Sequence, residues 1–413
     1  MDPFGTAGSH RRDFRLLWSG QFVSELGGQL TAFALPTIAI VTLHASPLAV
    51  GALTAFEFAI VPLLATAAGV IADRHRRKPL LIASNVVRAL ALASLPAAWC
   101  FHALSLLQFF VVGGVCAAAG VLFDMAYQAL LPSLCGPERY HRGVARLAMS
   151  GSLAEAVGTG SAASIVQFVG APLAVALNVI SFAVSTASLL MIRASDDVPR
   201  PHGNESARRE AVAGFRALLE DPVLRTVALT SSTAYLGGAM VSSVFALYCY
   251  RQLGLSPLAF GGVMAFANLG IGGALVARRA GVRFGAVPTL AMATLLSALG
   301  KFTYLLHVAP LLAIFVGRAL QTFSGPIGAT TQQTLQTAHV PDHLLGRMNA
   351  AMRTVGWAAL AAGSLAGGAI GQFGGLTAAI AIGSTVSLCS VGWLALRQEA
   401  PQLNRGAVRH VVV

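Results

Sequence analysis

Long apolar runs, repeated along nearly the whole chain, leave this sequence few ways to fold. Twelve can be drawn, over residues 16–43, 47–72, 79–101, 104–131, 144–168, 172–192, 223–249, 257–280, 286–307, 309–336, 347–370 and 374–396. Each is about 20 residues or longer, the length a helix needs to cross a roughly 30 Å hydrocarbon core. With no water there to receive backbone N–H and C=O groups, such a segment satisfies them internally as an α-helix. Composition agrees: 55% of the 413 residues are hydrophobic and 11% charged, against about 25% charged in soluble globular chains. The predicted fold class is all-α and integral to the membrane, with twelve transmembrane helices.

The basic residues set the topology. With both termini inside, the cytoplasmic segments and span edges hold about 23 of the 28 Lys and Arg, and the outside loops hold only Arg251. The formal charge of +12 then anchors loops and calls for no nucleic acid. Arg193–Asp221 is polar, with Pro199, Pro201 and Gly203, and reads as a cytoplasmic linker. The predicted organisation is an N-terminal six-helix half over 1–192, a linker over 193–221, and a C-terminal six-helix half with a short cytoplasmic tail over 222–413. Met1–Arg15 is polar and the first apolar run is too long for a signal sequence, so that run is expected to stay as an anchor. Cys100, Cys116, Cys135, Cys249 and Cys389 are scattered without CxxC spacing, which argues against a disulfide framework or zinc site. The histidines are isolated, and no metal site is predicted.

The two halves repeat. Leu26-Gly27-Gly28 recurs as Leu236-Gly237-Gly238, and Ser46-Pro47-Leu48-Ala49 with Gly51 recurs as Ser256-Pro257-Leu258-Ala259 with Gly261, both at an offset of 210. Ile165, Gln167, Phe168 and Gly170 match Ile370, Gln372, Phe373 and Gly375 at an offset of 205. Parallel six-helix repeats are a transporter plan.

Between the second and third runs lies GVIADRHRRKPLL, residues 69–81, a hairpin tip with Asp73, Arg74, Arg76, Arg77 and Lys78. Its pattern Gly69-x-x-x-Asp73-Arg74-x-x-Arg77-Lys78 fits the helix 2–3 loop signature of the major facilitator superfamily, which the chain resembles over its whole length. RRDFRLLWSGQFVSELGGQL at the start, the ASPLAVG turn and VPDHLLGRMNA before helix 11 resemble the drug- and siderophore-efflux branch, which includes macrolide and enterobactin exporters. The resemblance implies two pseudo-symmetric six-helix bundles rocking about a cavity lined mainly by helices 1, 4, 7 and 10. Two departures stand out. ALVARRAGVRFG at 274–285 keeps the basic residues of the hairpin but lacks the Asp, and Gly158-Thr159-Gly160 has Thr where proton-coupled drug exporters carry Pro. The second departure counts against proton antiport.

Ionisable residues inside the hydrocarbon cost roughly 2.5–3.5 kcal/mol each and so mark candidate sites. Glu25 lies roughly 14 Å into the first span, with Gln21 and Gln29 on the same helical face at i−4 and i+4. The stripe suits a cavity-lining carboxylate that binds a cation or carries a proton, or else a structural hydrogen-bond partner. Glu57, between Phe56 and Phe58, suits proton exchange or a lone structural role. Glu155 stands between cavity and charge pair. Arg318 shares a face with Gln321 and could hold an anionic substrate group or neutralise a carboxylate such as Glu25 or Glu155. Lys301 reads as a residue that snorkels to the outer interface. Trp18, Tyr127, Tyr235, Tyr248 and Trp357 could line an amphipathic cavity, and of these Trp18 and Tyr248, near span ends, read as interfacial aromatics.

A cytoplasmic gate is expected from Gly69, Asp73, Arg74, Arg77, Lys78, Asp124, Gly346, Arg347 and Arg353. Asp73 would meet the start of helix 11, where Gly346 permits close approach, Arg347 adds a charge and the helix N-terminus is partly positive. Arg88 and Arg353 read as gate or structural pairs.

No phosphate-loop, zinc-protease or serine-hydrolase motif occurs, so neither an enzyme nor ATP drive within this chain is predicted. The expectation is a bacterial inner-membrane secondary transporter, monomeric and without a cofactor. It would export a small amphipathic molecule such as a drug or siderophore, drawing on the proton gradient. An importer, a lipid-headgroup transporter of the same fold and a non-transporting sensor are the alternatives.

Overall fold

The computed structural model of the chain describes residues 5–135, 140–193, 207–268, 273–307 and 309–396. They form α1 (Gly5–Thr37), α2 (Pro47–Arg74), α3 (Arg77–Cys100), α4 (Leu106–Cys135), α5 (Tyr140–Phe168), α6 (Ala171–Met191), α7 (Ala207–Glu220), α8 (Pro222–Leu247), α9 (Pro257–Asn268), α10 (Gly273–Phe284), α11 (Ala286–Phe302), α12 (Pro310–His339), α13 (Asp342–Phe373) and α14 (Leu376–Ala395). No strand occurs among the described residues. The chain divides into two compact units, the first made of Met1–Ala45, Leu63–Gly203 and Ser256–Ala265, the second of Ser46–Pro62, Asn204–Leu255 and Phe266–Val413.

Among the described residues, eight helices are individually long and apolar enough to cross a membrane: α2, α3, α4, α6, α8, α11, α13 and α14. Of the remaining expected spans, the one over 257–280 falls on α9 and α10, either side of residues outside the described set. The others, α1, α5 and α12, have the length, at 33, 29 and 30 residues. Their polar side chains dilute the apolar run. Those three helices carry most of the intramembrane candidate residues, so the weakest membrane signals mark the helices with chemistry on them.

Small residues hold each unit together. In the first, Gly20 packs against Ser185 and Ser188, and Gly27 against Asn178 and Ser181, so α1 lies close against α6. Across that seam Asn178 donates to Thr31 at 2.6 Å, and within α6 Ser181 donates to Asn178 Oδ1 at 2.7 Å. In the second unit Gly237 of α8 meets the Gly383 carbonyl and Ser387 of α14. Lipid offers no hydrophobic drive between helices, so close packing and such hydrogen bonds hold them. Apolar side chains fill the remainder, around Leu17, Leu81, Phe123 and Leu130 in the first unit and around Leu224, Leu290, Leu335 and Met348 in the second.

The sequence repeat is a structural repeat. α1 runs into a π-helical turn over Ile38–Thr42 and α8 into another over Tyr248–Gln252, again 210 residues on. Leu43 N–H donates to the Ile38 carbonyl at 3.0 Å, and Leu253 N–H to that of Tyr248 at 3.0 Å. The next turn puts His44 at φ 48° and Gly254 at φ 65°. Ser46 and Ser256 then accept the Ala49 and Ala259 N–H groups at 3.2 Å each. This explains the recurrent Ser-Pro-Leu-Ala: serine caps the helix and proline occupies its first position, where no N–H is needed. The second offset returns in Gly170 (φ 97°) and Gly375 (φ 92°), each preceding a helix in a left-handed conformation that favours glycine.

Within the polar segment 193–221, residues 194–206 lie outside the described set and the rest holds α7. Its Leu218 is buried, and Gly214 lets it approach the Arg347 backbone on α13. Asp221 ends the segment and caps α8, accepting from Val223 and Leu224 N–H at 2.6 and 3.0 Å.

Candidate functional site

In the first unit the stripe on α1 meets α5. Gln21 donates to Glu25 Oε1 at 3.3 Å. The carboxylate lies over Gly151, where a Cβ would sit 3.4 Å from Glu25 Oε2. Two turns on along α5, a Cβ at Gly158 would come within 2.7 Å of Gln29 Cβ and Cγ. Two glycines on one face of α5 thus make room for two polar side chains of α1. Trp18, expected at the interface, donates from Nε1 to Ser150 at 2.8 Å and so ties the same two helices. Glu25 pairs with no cation among the described residues of its unit, and its carboxylate accepts from a neutral amide. Glu155, on the same face of α5, is exposed; its carbonyl accepts from Thr159 Oγ1 at 2.8 Å, and no hydrogen bond or ion pair joins its carboxylate to the unit's described residues.

Arg88 and Asp124 belong to a second cluster of this unit. The Arg88 guanidinium lies 4.6 Å from the centroids of both the Phe123 and Phe182 rings, between α4 and α6. It donates to Asn85 Oδ1 at 2.6 Å and interacts electrostatically with Asp124. Asn85 in turn donates to Ser185 at 3.0 Å. This array fixes α3, α4 and α6 to one another.

At the hairpin, Lys78 donates from Nζ to the Ile192 and Leu190 carbonyls at 2.6 and 3.2 Å. These are orphan carbonyls at the end of α6, which a cation suits doubly because the helix dipole is negative there. Arg77 buries its Nε without a hydrogen-bond partner. Asp73 and Arg74 are exposed. A Cβ at Gly69 would meet nothing within 4 Å, and the same holds at Gly346. Close approach to the Arg347 backbone is made by Gly214 of α7.

The second unit contains a cavity of about 570 Å³, bordered by α8, α12 and α13. Tyr235, Met352, Trp357 and Leu360 supply its apolar wall, and Gln332, Gln333, Gln336, Asn349 and Arg353 its polar groups. Ser231 donates to Gln332 Oε1 at 2.9 Å, which fixes that amide and leaves its NH₂ group to donate. Trp357 packs on Phe58 with ring centroids 5.5 Å apart. Arg353, read from sequence with the gate, is therefore a cavity residue, and its neighbours are amides and aromatics. The volume and mixed lining match those of small-molecule sites, mostly apolar with a few placed polar groups.

Farther along α12, Gln321 donates to the Tyr304 hydroxyl at 2.6 Å and to the Gly317 carbonyl at 3.1 Å. Arg318 is half-buried, and no carboxylate among the described residues of its unit pairs with it. Two sequence expectations are corrected here. Lys301 does not snorkel: it is 7% exposed and donates to Ser297 Oγ at 3.0 Å. Tyr248 is fully buried rather than interfacial, and its hydroxyl donates to the Tyr304 carbonyl at 2.9 Å. Glu57 is half-buried, one residue from the Phe58–Trp357 pair, and has no hydrogen bond or ion pair among the described residues of its unit.

Comparison with known proteins adds the family. The family model for the Major Facilitator Superfamily matches residues 17–281 and 227–410. The chain belongs to that superfamily. The facilitator fold of two six-helix halves accounts for the repeats above. An enterobactin exporter, EntS, of Shigella boydii serotype 4 is 25% identical over 347 residues, covering 81% of this chain and 80% of the relative. EntS proteins of Escherichia coli match equally over the same extent. Among solved structures, a bacterial homologue of the iron transporter ferroportin in an inward-facing state has a TM-score of 0.76 at 15% identity, covering 93% of this chain and 98% of that one. The nucleoside transporter NupG has a TM-score of 0.73 at 12% identity, over 93% and 96% of the two chains. At such identities these facilitators establish the fold alone.

Sequence reasoning missed Gln332, Gln336, Asn349 and Met352. A signal existed: Gln332 and Gln336 stand one turn apart on a membrane helix, as Gln21 and Glu25 do. Tyr304, which joins three buried hydrogen bonds or ring contacts, carried no signal, because one aromatic near a span end looks like an interfacial anchor.

Proposed function

We propose that this facilitator is a secondary transporter of the bacterial inner membrane that exports a small amphipathic organic molecule in exchange for protons. The observation that carries the reading is the cavity in the second unit. Its aromatic and aliphatic wall suits an apolar body, and its glutamines, Asn349 and Arg353 suit a polar, anion-tolerant head. The likeness to enterobactin exporters over most of both chains supports export of a secondary metabolite of siderophore or drug type. Glu25 is the proton carrier in this reading: a carboxylate within a membrane helix, hydrogen-bonded to a neutral amide, can exist with or without its proton.

Two halves in one chain suffice for alternating access, so the working form is a monomer. Residues 1–192 and 222–413 are the two halves, joined through the cytoplasmic linker 193–221. The Lys and Arg distribution supports cytoplasmic termini. A proton shifts the balance between outward- and inward-open states only if it binds the two states with different affinity.

Everted membrane vesicles test this reading. With an acidic lumen, uptake of catecholate, macrolide or dye probes should rise, collapse when the gradient is dissipated, and become insensitive to the gradient in Glu25→Gln. Wild-type uptake indifferent to the gradient would overturn the coupling, and movement only in the opposite direction would overturn export.

A further inference from the structure

The second unit sets a buried cation, Lys301, beside a half-buried one, Arg318, without an acid among its described residues. Lys301 at the end of α11 and Arg318 on α12 are close enough to interact electrostatically. Their approach is built in. Gly300 and Gly317 face each other, and a Cβ on either would strike the other's carbonyl, so α11 and α12 touch backbone to backbone at this level. Like charges held together away from water are costly unless something negative joins them. No carboxylate among the unit's described residues does so.

The hydrogen-bond inventory leaves the donors aimed at such a guest. Arg318 Nε is buried and has no hydrogen-bond partner. The Lys301 ammonium gives hydrogen bonds to Ser297 Oγ and the Ser297 carbonyl at 3.0 and 3.3 Å, which leaves one of its three N–H groups unspent. The Tyr304 oxygen accepts from Gln321 at 2.6 Å and from Arg318, so its own O–H proton remains to donate. Tyr304 is itself held by Tyr248 at 2.9 Å and by Phe245, with ring centroids 4.5 Å apart. Donors without acceptors, fixed by packing, are the mark of a site built for an anion.

We propose that Arg318, backed by Lys301 and Tyr304, binds the anionic group, a carboxylate or phosphate, of an amphipathic organic anion. Half-buried Arg318 makes the contact, and Lys301 behind it strengthens the field. The inference rests on the transport reading above and adds to it a second contact point, fourteen residues before Gln332 on α12 and outside the lining of the cavity, for cargo bearing a negative charge.

Binding to the purified full chain in phosphatidylcholine nanodiscs tests it, with diphenylacetate and its neutral amide as matched probes. Titration calorimetry should show wild type preferring diphenylacetate by roughly tenfold or more, the scale of a charge-assisted hydrogen bond. Arg318→Gln should bring that ratio to about one while leaving the amide's affinity in place, which also controls for folding. Lys301→Gln should weaken diphenylacetate binding by roughly tenfold and spare the amide. Equal affinity of wild type for both probes, or a preference that survives Arg318→Gln, would overturn the proposal. Displacement of diphenylacetate by added phosphatidylglycerol would keep the anion site but overturn its reading as a cargo contact in favour of a lipid headgroup. Vesicle uptake of the neutral amide is read separately: its loss would count against the transport reading and not against the anion site.

Discussion

Replacing Gly317 with alanine should separate two helices whose contact organises the second unit. The added Cβ would strike the Gly300 carbonyl and Thr303 Oγ1 and would sit 2.6 Å from Tyr304 Cε1. A backbone carbonyl is not the loose end of a flexible side chain, so α11 and α12 must move apart. Overpacking of this kind costs about 1–3 kcal/mol. For a unit of about 200 residues that corresponds to a fall in Tm of about 2–12 °C. Gly328 lies on the same helix, and there a Cβ would stand 3.9 Å from Ala293 Cβ, an ordinary contact. Gly328→Ala should therefore leave Tm within about 1 °C or raise it, since alanine is the better helix former. The assay is thermal unfolding of the detergent-purified variants, followed by size-exclusion fluorescence. Because Lys301 and Arg318 flank the two glycines, Gly317→Ala should also weaken binding of an organic anion. Equal stability of the two variants would refute the close approach of α11 and α12.

Substitutions at four other positions probe the first unit and the start of the second. Arg88→Lys keeps the charge but loses the planar stack between Phe123 and Phe182, so thermal stability should fall by about 1–2 kcal/mol; an unchanged melting curve would contradict the sandwich. Gly158→Ala should displace Gln29 and reduce transport, whereas Gly151→Ala should keep at least half of it, because the new Cβ meets Glu25 at an ordinary 3.4 Å; equal losses would argue against the packing of α1 on α5. Asp221→Ala removes the cap of α8 at about 1 kcal/mol, so hydrogen exchange at Val223 and Leu224 should quicken, while Asp221→Asn should leave it slow.

Much of the architecture was readable because membrane helices announce themselves by length and composition. The offset of 210 that relates the two Ser-Pro-Leu-Ala segments also relates the π-helical turns Ile38–Thr42 and Tyr248–Gln252, which the sequence by itself did not signal. Glu25 with Gln21 and Gln29 was likewise legible, because one helix sets that spacing. The site residues that escaped depend on packing between helices. Lys301 near a span end satisfies the pattern of a snorkelling lysine, and only the Gly300–Gly317 contact shows that it is enclosed. Lys78 looked like a topology anchor or gate charge, but its hydrogen bonds run to carbonyls of α6, more than a hundred residues on. Arg353 could not be assigned to a cavity until α8 and α12 were placed beside it. In α7, Phe215 and Leu218 lie on one face of a charged segment too short to dominate its composition.

The central claim is exchange of protons for an amphipathic cargo, and proteoliposomes holding the purified chain and a trapped pH dye test it most directly. With no imposed gradient, a cargo gradient should by itself drive protons in the opposite direction, and Glu25→Gln should abolish that proton movement. Cargo flux without any proton movement, or with protons travelling alongside the cargo, would contradict the account.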